Sequence, residues 1–255
     1  MNYIRFFEKY NDVTAYFTTR LGGISQEHNN SLNLGFNTGD LLENVLENRK
    51  IVKSDMGLLD CIEIIPQQVH KSDIAVVTDE MINTNKSYIR LGDFDGLVTN
   101  KTKVLLTTGH ADCLAVYLYD YKNNVIGLSH AGWRGTQLNI VKHTAEKMIN
   151  ELGADVNTMI GAVSPGISKC CFEVGEEVYE KFKSDFSFID DYAVKKDNGK
   201  FNLDLKGINK RQFLDIGIEN VEVSDYCTSC STELFFSYRK ESGKTGRMCA
   251  GLAMK

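Results

Sequence analysis

Proline is almost missing from this chain of 255 residues: Pro66 and Pro165 are the only two. That leaves no room for a proline-rich linker between domains. Tryptophan occurs once, at Trp133, and histidine five times. No run approaches the ~18 apolar residues of a membrane span, so no membrane association is expected. The opening MNYIRFFEKYND is broken by Arg5, Glu8 and Lys9 and is not expected to act as a secretory leader. A basic block is missing too. With 29 basic against 34 acidic residues the formal charge is -5, which argues against a broad nucleic-acid surface. An acidic substrate would need a local basic pocket instead. Seven cysteines, an odd number without a leader, read as reduced thiols in a cytoplasmic protein.

What is present is an ordinary globular balance, 42% hydrophobic and 25% charged, in a chain long enough to bury a core without staples. VTAYFTTR (13–20) reads as a strand, followed by a polar loop, GGISQEHNNSLNLGFNTGD, too long for a mere turn. Asp40 is placed as the N-cap of a helix whose face is Leu42, Val45, Leu46 and Val52, ending near Gly57. Strands are expected at CIEIIPQQVH, DIAVVTD, FDGLVTN, KVLLTTG, TMIGAVSP, FNLDL, VEVSDYC and LFFSYRK. Helical spacing runs from Leu138 to Leu152 with Gly153 behind it, recurs at Val174, Val178 and Phe182, and is read again in LKGINKRQFLDIG. Strict strand–helix alternation is absent. The expectation is an α+β fold, mixed sheets covered by helices, in a single domain over 1–255.

The stretch HADCLAVYLYDYKNNVIGLSHAGWRGT holds two apolar runs around a polar break. If residues 113–120 and 123–130 pair across a two-residue loop, Cys113 faces His130. Directly opposite Cβ atoms lie ~4.5–5.5 Å apart on one face. That separation suits one ion, with Zn–S at about 2.3 Å and Zn–N at about 2.0–2.1 Å. A one-residue slip would send the two to opposite faces. His70, closing the run IEIIPQQVH, is the preferred third ligand, and His110 is the rival. Positions 110 and 113 point to opposite faces of an extended chain, which disfavours His110. His28 lies in the long loop, and His143 sits among apolar helix positions and reads as structural. Two imidazoles and a thiolate leave one tetrahedral position open, the pattern of a catalytic zinc. A buried cysteine with two strand-end histidines is the competing structural reading.

Twelve motifs in order, FTTRLGG, SLNLGFNTGD, ENR, QVH, DGLVT, ADC, HAGWRGT, SPGIS, CCFEVG, LDL, FFSYRK and TGR, resemble the laccase-domain family. That family is named multicopper polyphenol oxidase and is now described as purine nucleoside phosphorylases. The resemblance covers nearly the whole chain. It implies a metal on the His of QVH, the Cys of ADC and the His of HAGWRGT, here His70, Cys113 and His130. It implies phosphorolysis of adenosine, inosine and 5′-methylthioadenosine, with adenosine deamination also ascribed. The usual deaminase motifs, H-x-E and P-C-x-x-C, are absent. So are the His-X-His pairs of multicopper oxidases, and the donor set suits zinc, with copper also able to bind.

Phosphorolysis needs an anion site. Arg20, at a strand end, and Arg134, where GWRGT turns into a helix, are the candidates; Arg239 and Arg247 are the runners-up. Asn33 and Gln68 are candidates for ribose or base contacts. Asp93 and Asp95 in DFDG offer carboxylates or a turn, and Asp112 should face away from Cys113. Phe36, Tyr16 and Trp133 are each either base-stacking or packing residues. CTSC (227–230) suggests a redox pair or half a zinc knuckle. Cys170 and Cys171 would complete it poorly, since adjacent residues rarely hold one ion well, so buried or tail-end thiols are expected. The leading expectation is a zinc-dependent purine nucleoside phosphorylase, a monomer or weak homo-oligomer acting on purine nucleosides and phosphate. The alternatives are a cysteine hydrolase editing peptidoglycan precursors, with Cys113 as nucleophile and His130 as base, a copper polyphenol oxidase, and a metal-stabilised binding module.

Overall fold

The structure, a computed structural model, describes residues 3–255. β1 (Tyr3–Phe6) and β2 (Val13–Thr18) lead into the long loop, then α1 (Leu42–Asp55), β3 (Ile62–Gln67) and β4 (Ile74–Val76). A short α2 (Asp79–Ile82) precedes β5 (Tyr88–Asp93), β6 (Gly96–Thr99) and β7 (Val104–His110). The central hairpin is β8 (Leu114–Asp120) and β9 (Val125–Ala131), followed by α3 (Trp133–Gln137) and α4 (Ile140–Leu152). β10 (Met159–Val163), β11 (Glu173–Val174), α5 (Glu176–Asp185), β12 (Ala193–Lys195) and β13 (Phe201–Leu203) come next. α6 (Leu205–Asp215), β14 (Val221–Val223) and β15 (Met248–Met254) close the chain.

Two six-stranded sheets carry the fold, ordered β1-β2-β15-β7-β3-β5 and β14-β10-β8-β9-β6-β4. Both are mixed. β3 runs parallel to β5 and β7, while β8 and β9 are antiparallel. Pro66 has no N–H for the ladder, and the β3–β5 register shifts between Ile65 and Gln67. The facing sides of the sheets share one core, with Phe17, Leu106 and Leu252 from one sheet and Tyr117, Ile126 and Leu128 from the other. The outer side of the second sheet is covered by α4 and α6, through Met148, Ile208 and Phe213. The outer side of the first sheet meets Val52 and Met56 of α1 and Leu32 and Leu34 of the long loop. The fold class is therefore α+β with helices covering mixed sheets, as the pattern predicts. No described helix is long and apolar enough to cross a membrane.

Local differences have physical causes. The N-cap of α1 is Leu41, not Asp40, and Leu42 is exposed. Asp40 Oδ1 instead accepts from Leu41 N and Asn44 Nδ2, while its other oxygen takes Ser25 Oγ and Asn33 Nδ2. α4 ends as read, on Gly153 at φ 70°, where a Cβ would be strained. LFFSYRK is no strand; Phe235 and Phe236 are neighbours and both are fully buried, which alternation on one exposed sheet face does not allow. The last strand is β15 instead. MCAGLAM is poor in β-branched residues, so propensity hides it, yet it is buried along its whole length between β2 and β7.

The central hairpin differs by register. Asp120 pairs with Val125 and Ala115 with His130, across a four-residue turn. Asp120 builds that turn, accepting from the backbone of Lys122 and Asn123 and from Thr158 Oγ1. The shift from the two-residue loop moves the pairing by two positions, which preserves the face. Cys113 is therefore diagonal to His130 rather than opposite, and still on its side of the sheet.

If β15 closes the inter-sheet core, Leu252→Ala should cost about 2–5 kcal/mol in denaturant unfolding. Leu214→Ala, on the exposed side of α6, should stay within about 0.5 kcal/mol. Equal costs would show that β15 is not part of the core.

Candidate active site

Three chain segments converge at one end of the space between the sheets. His70 follows β3, Cys113 lies between β7 and β8, and His130 is the next-to-last residue of β9. One ligand atom from each lies within 4.8 Å of the others, close enough to share an ion. Gly132 adjoins the group. A Cβ there would stand 3.2 Å from Cys113 Sγ and 3.3 Å from His70 Cδ2, so the backbone leaves space that a side chain would take.

Asp95 organises this cluster. It is fully buried, and its carboxylate accepts from the backbone N–H groups of Val69, His70 and Lys71 at 2.7–3.2 Å. His130 Nδ1 donates to Asp95 Oδ1 at 2.9 Å, leaving Nε2 to face the thiol. Burial pushes the Asp95 carboxyl up, but His130 and these N–H donors outweigh it and hold it ionised below its usual range. Asp95, which DFDG offers as a carboxylate or a turn residue, is thus a positioning group. Asp93 is elsewhere, accepting from Gln67 Nε2.

Charge passes between Cys113 and His130. Burial alone would raise the Cys113 thiol; the His130 charge and its hydrogen bond outweigh that and bring it to about 6. Burial would lower His130, but the Cys113 thiolate and Asp95 lift it to about 9. Each shift favours the charged form of its group, thiolate for Cys113 and imidazolium for His130. His110 does not join them as a ligand. Its Nδ1 donates to the Cys113 carbonyl at 3.1 Å and its Nε2 meets Thr108 Oγ1 at 2.8 Å, so both nitrogens are occupied. Burial, then the His130 charge, push it well below the ordinary range, and it is neutral. His28 lies near Thr38, and His143 is half-exposed beside Glu146 rather than packed in the core.

The cluster lies on the wall of a cleft of about 580 Å³. Phe36, Trp133, Phe172 and Tyr238 supply aromatic surface, and Arg49, Arg90, Arg239 and Arg247 supply charge. The long polar loop contributes residues 34–38 to this cleft, and it is packed rather than loose: Asn48 of α1 binds Ser25 Oγ and Asn33 O. Arg49 is committed to an ion pair with Glu63 and to Leu34 O. Arg247 donates to the carbonyls of Thr245 and Gly246, and Arg239 to that of Glu173. Arg90 is exposed over the Phe36 ring, 5.0 Å from its centroid, with no ion-pair partner among the described residues.

The structure brings Gln68 to the cleft, where its amide holds both backbone groups of Gly109. It does not bring Arg20, Arg134 or Asn33 there. Arg20 is spent on Asn30 O, Thr232 O and Glu241, with its guanidinium over Phe236. Asn33 is fully buried and holds Thr38, Asp40 and the backbone of Arg247. Arg134 is exposed, stacked on Trp133. The helix read after GWRGT is broken at Asn139, which takes φ 57°, so α3 is a five-residue turn without a helix's worth of aligned dipoles. Tyr16 is core. Trp133 and Phe36 do line the cleft. Arg90 carries no sequence signal because YIRLGD of β5 lacks a clear strand pattern, and Arg49 carries none because helical spacing reports faces, not pockets.

A family model described as multi-copper polyphenol oxidoreductase laccase matches residues 14–255. The chain belongs to this family. It is 33% identical over 248 residues to a purine nucleoside phosphorylase of Bacteroides thetaiotaomicron, covering 95% of this chain and 92% of that protein. It is 31% identical to the purine nucleoside phosphorylase YlmD of Bacillus subtilis, covering 96% and 89%. Among solved structures, the hypothetical protein YfiH of Bacillus licheniformis superposes with a TM-score of 0.93 at 34% identity, covering 100% of this chain and 97% of the other. YlmD of Geobacillus stearothermophilus gives 0.91 at 31%, with the same coverage.

Two outcomes follow from the Asp95 arrangement. If the trio holds a metal ion, Asp95→Asn should weaken its binding by about 10–100-fold in a competition titration, because the imidazole loses its orienting acceptor. In metal-free protein, alkylation of Cys113 should follow an apparent pKa of about 6, reactivity falling as pH drops through it. His130→Ala should move that profile upward. A Cys113 profile near the ordinary thiol value of 9.0 would rule out the ion pair.

Proposed function

We propose that the protein is a metal-dependent purine nucleoside phosphorylase, one catalytic domain over its whole length. The observation that carries this reading is the opening of the His70–Cys113–His130 cluster into a cleft that joins aromatic walls to four guanidinium groups. The donor set fits a metal: a half-buried thiolate, an imidazole already tautomer-locked by Asp95, and Gly132 leaving room beside them. A zinc ion there, or copper in its place, would supply Lewis acidity at an open coordination position.

The chain's own residues do the rest. Phe36 and Trp133 both line the cleft and are the proposed aromatic surfaces for a flat purine, with the ribose toward the cluster. Phosphate is drawn by the positive field of Arg239 and Arg247, and Arg90 is the guanidinium free to make charge-assisted bonds to it. Asp95 keeps His130 oriented throughout. In phosphorolysis of adenosine or inosine an oxygen of hydrogen phosphate bonds to C1′ while the glycosidic bond breaks with its electrons on the base, and the proton that hydrogen phosphate gives up ends on the purine, giving ribose 1-phosphate and free purine. Adenosine, inosine and 5′-methylthioadenosine are the proposed substrates, and deamination of adenosine is a further reaction of the same cleft. All seven cysteines are unpaired, which suits a cytoplasmic setting.

One observation favours a second reading. Cys113 and His130 lie within ligand distance of each other, each shifted toward its charged form, which is the arrangement of a cysteine nucleophile with its base. Hydrolysis by that pair would survive chelation, whereas the phosphorylase would not.

Incubating metal-loaded protein with adenosine, with and without phosphate, separates the reactions. Adenine with ribose 1-phosphate is the expected product pair; inosine marks deamination, and adenine with free ribose marks hydrolysis. Adenosine left intact in phosphate buffer would overturn the proposal. Arg90→Ala should raise the phosphate KM about tenfold or more, since a hydrogen bond to a charged group contributes about 1.5–3 kcal/mol.

A further inference from the structure

Four further cysteines do not scatter. Cys170 and Cys171 lie in the segment between β10 and β11, and Cys227 and Cys230 follow β14. All four sulfurs lie within 4.8 Å of one another. Cys170 Sγ is 3.7 Å from Cys171 and 3.6 Å from Cys230, and Cys171 is 3.3 Å from Cys230. Four thiolates at about 2.3 Å around a tetrahedral zinc stand roughly 3.8 Å apart. A disulfide needs about 2.0 Å. The observed spacings sit near the metal value, and adjacency of Cys170 and Cys171 does not prevent both sulfurs from pointing inward.

The surroundings suit a thiolate cluster. Ser168 N–H donates to Cys227 Sγ at 3.4 Å. The ammonium of Lys206, held by the carbonyls of Ser224 and Tyr226, is close enough to Cys227 and Cys170 to interact electrostatically. Among the described residues no carboxylate belongs to the group, so the donor set is sulfur alone. Such a set has no open position and belongs to a structural rather than a catalytic ion.

We propose that Cys170, Cys171, Cys227 and Cys230 form a second, structural zinc site, separate from the trio and independent of the reaction assigned to it. Its work is to tie two loops into one wall of the cleft. Gly166 O accepts from Thr228 N, and Thr228 Oγ1 donates to Asp112 Oδ1 at 2.6 Å. Asp112 Oδ2 accepts from Arg239 N at 2.7 Å, and Arg239 Nη1 reaches Glu173 O. Phe172 and Arg239 face the cleft, and Asp112 is the neighbour of Cys113. A zinc ion clamping both loops would hold that chain of contacts in place.

The test is zinc content and thiol reactivity in full-length protein purified without oxygen. The wild type should carry about two zinc ions per chain, one per site. A His70→Ala/Cys113→Ala variant should keep one, and adding Co²⁺ to its zinc-stripped form should give the intense thiolate-to-metal absorption of a four-sulfur site. Cys227→Ser/Cys230→Ser should lose one. In the wild type, which needs no mutation to fold, zinc should protect Cys170, Cys171, Cys227 and Cys230 from N-ethylmaleimide, read peptide by peptide. Full labelling of these four in the presence of zinc, a trio-vacated variant that binds no zinc, or a Cys171–Cys230 disulfide in its place would overturn the proposal.

Discussion

One carboxylate holds the centre together. Asp95 precedes β6 in the second sheet, yet three of its four donors come from the turn after β3, in the first sheet. It thereby joins the sheets at the point where their strand ends meet. Remove it, and the turn bearing His70 loses its acceptor while the His130 ring is free to rotate. A buried carboxylate is expensive unless every lone pair is used, and here the donors converge on it from two directions. The thiolate–imidazolium pair depends on it in turn, because the imidazolium needs an anion on each side to stay charged out of water.

Packing explains why this polar group is possible at all. The inter-sheet space is filled with Phe17, Tyr117, Leu128 and Leu252, and the site occupies its open end. Charges there are shielded from water on the core side and meet solvent only through the cleft. The cleft's guanidinium groups offset the global negative charge locally, so a net acidic protein presents a basic pocket. Three of the four are tied to carbonyls or to Glu63, which fixes their positions at the cost of freedom; Arg90 has no such side-chain partner among the described residues.

Much of the fold was legible. Apolar runs with β-branched residues became β2, β3, β6–β10 and β14, and the period of 3.6 became α1, α4 and α6. β15 was not legible, because a fully buried strand of Met, Ala, Cys and Gly carries neither alternation nor propensity. Strand-end placement and face parity make the trio legible although the hairpin turn has four residues rather than two, since a difference of two residues leaves every side chain on its own face. The substrate contacts fared worse. Arg20 and Asn33 look free in a sequence, and their partners, Glu241 and Arg247, are more than 200 residues away.

By itself, then, the amino-acid order determined local periodicity, face parity and the identity of the soft donors. Those properties are set within a few residues by backbone geometry. Which donors meet was decided only in three dimensions, because loop closure and sheet stacking bring together positions whose separation carries no periodic signal. The contrast is plainest at Cys170 and Cys171. Adjacency argued against a shared ion, yet the turn before β11 and the loop after β14 place four sulfurs at one point.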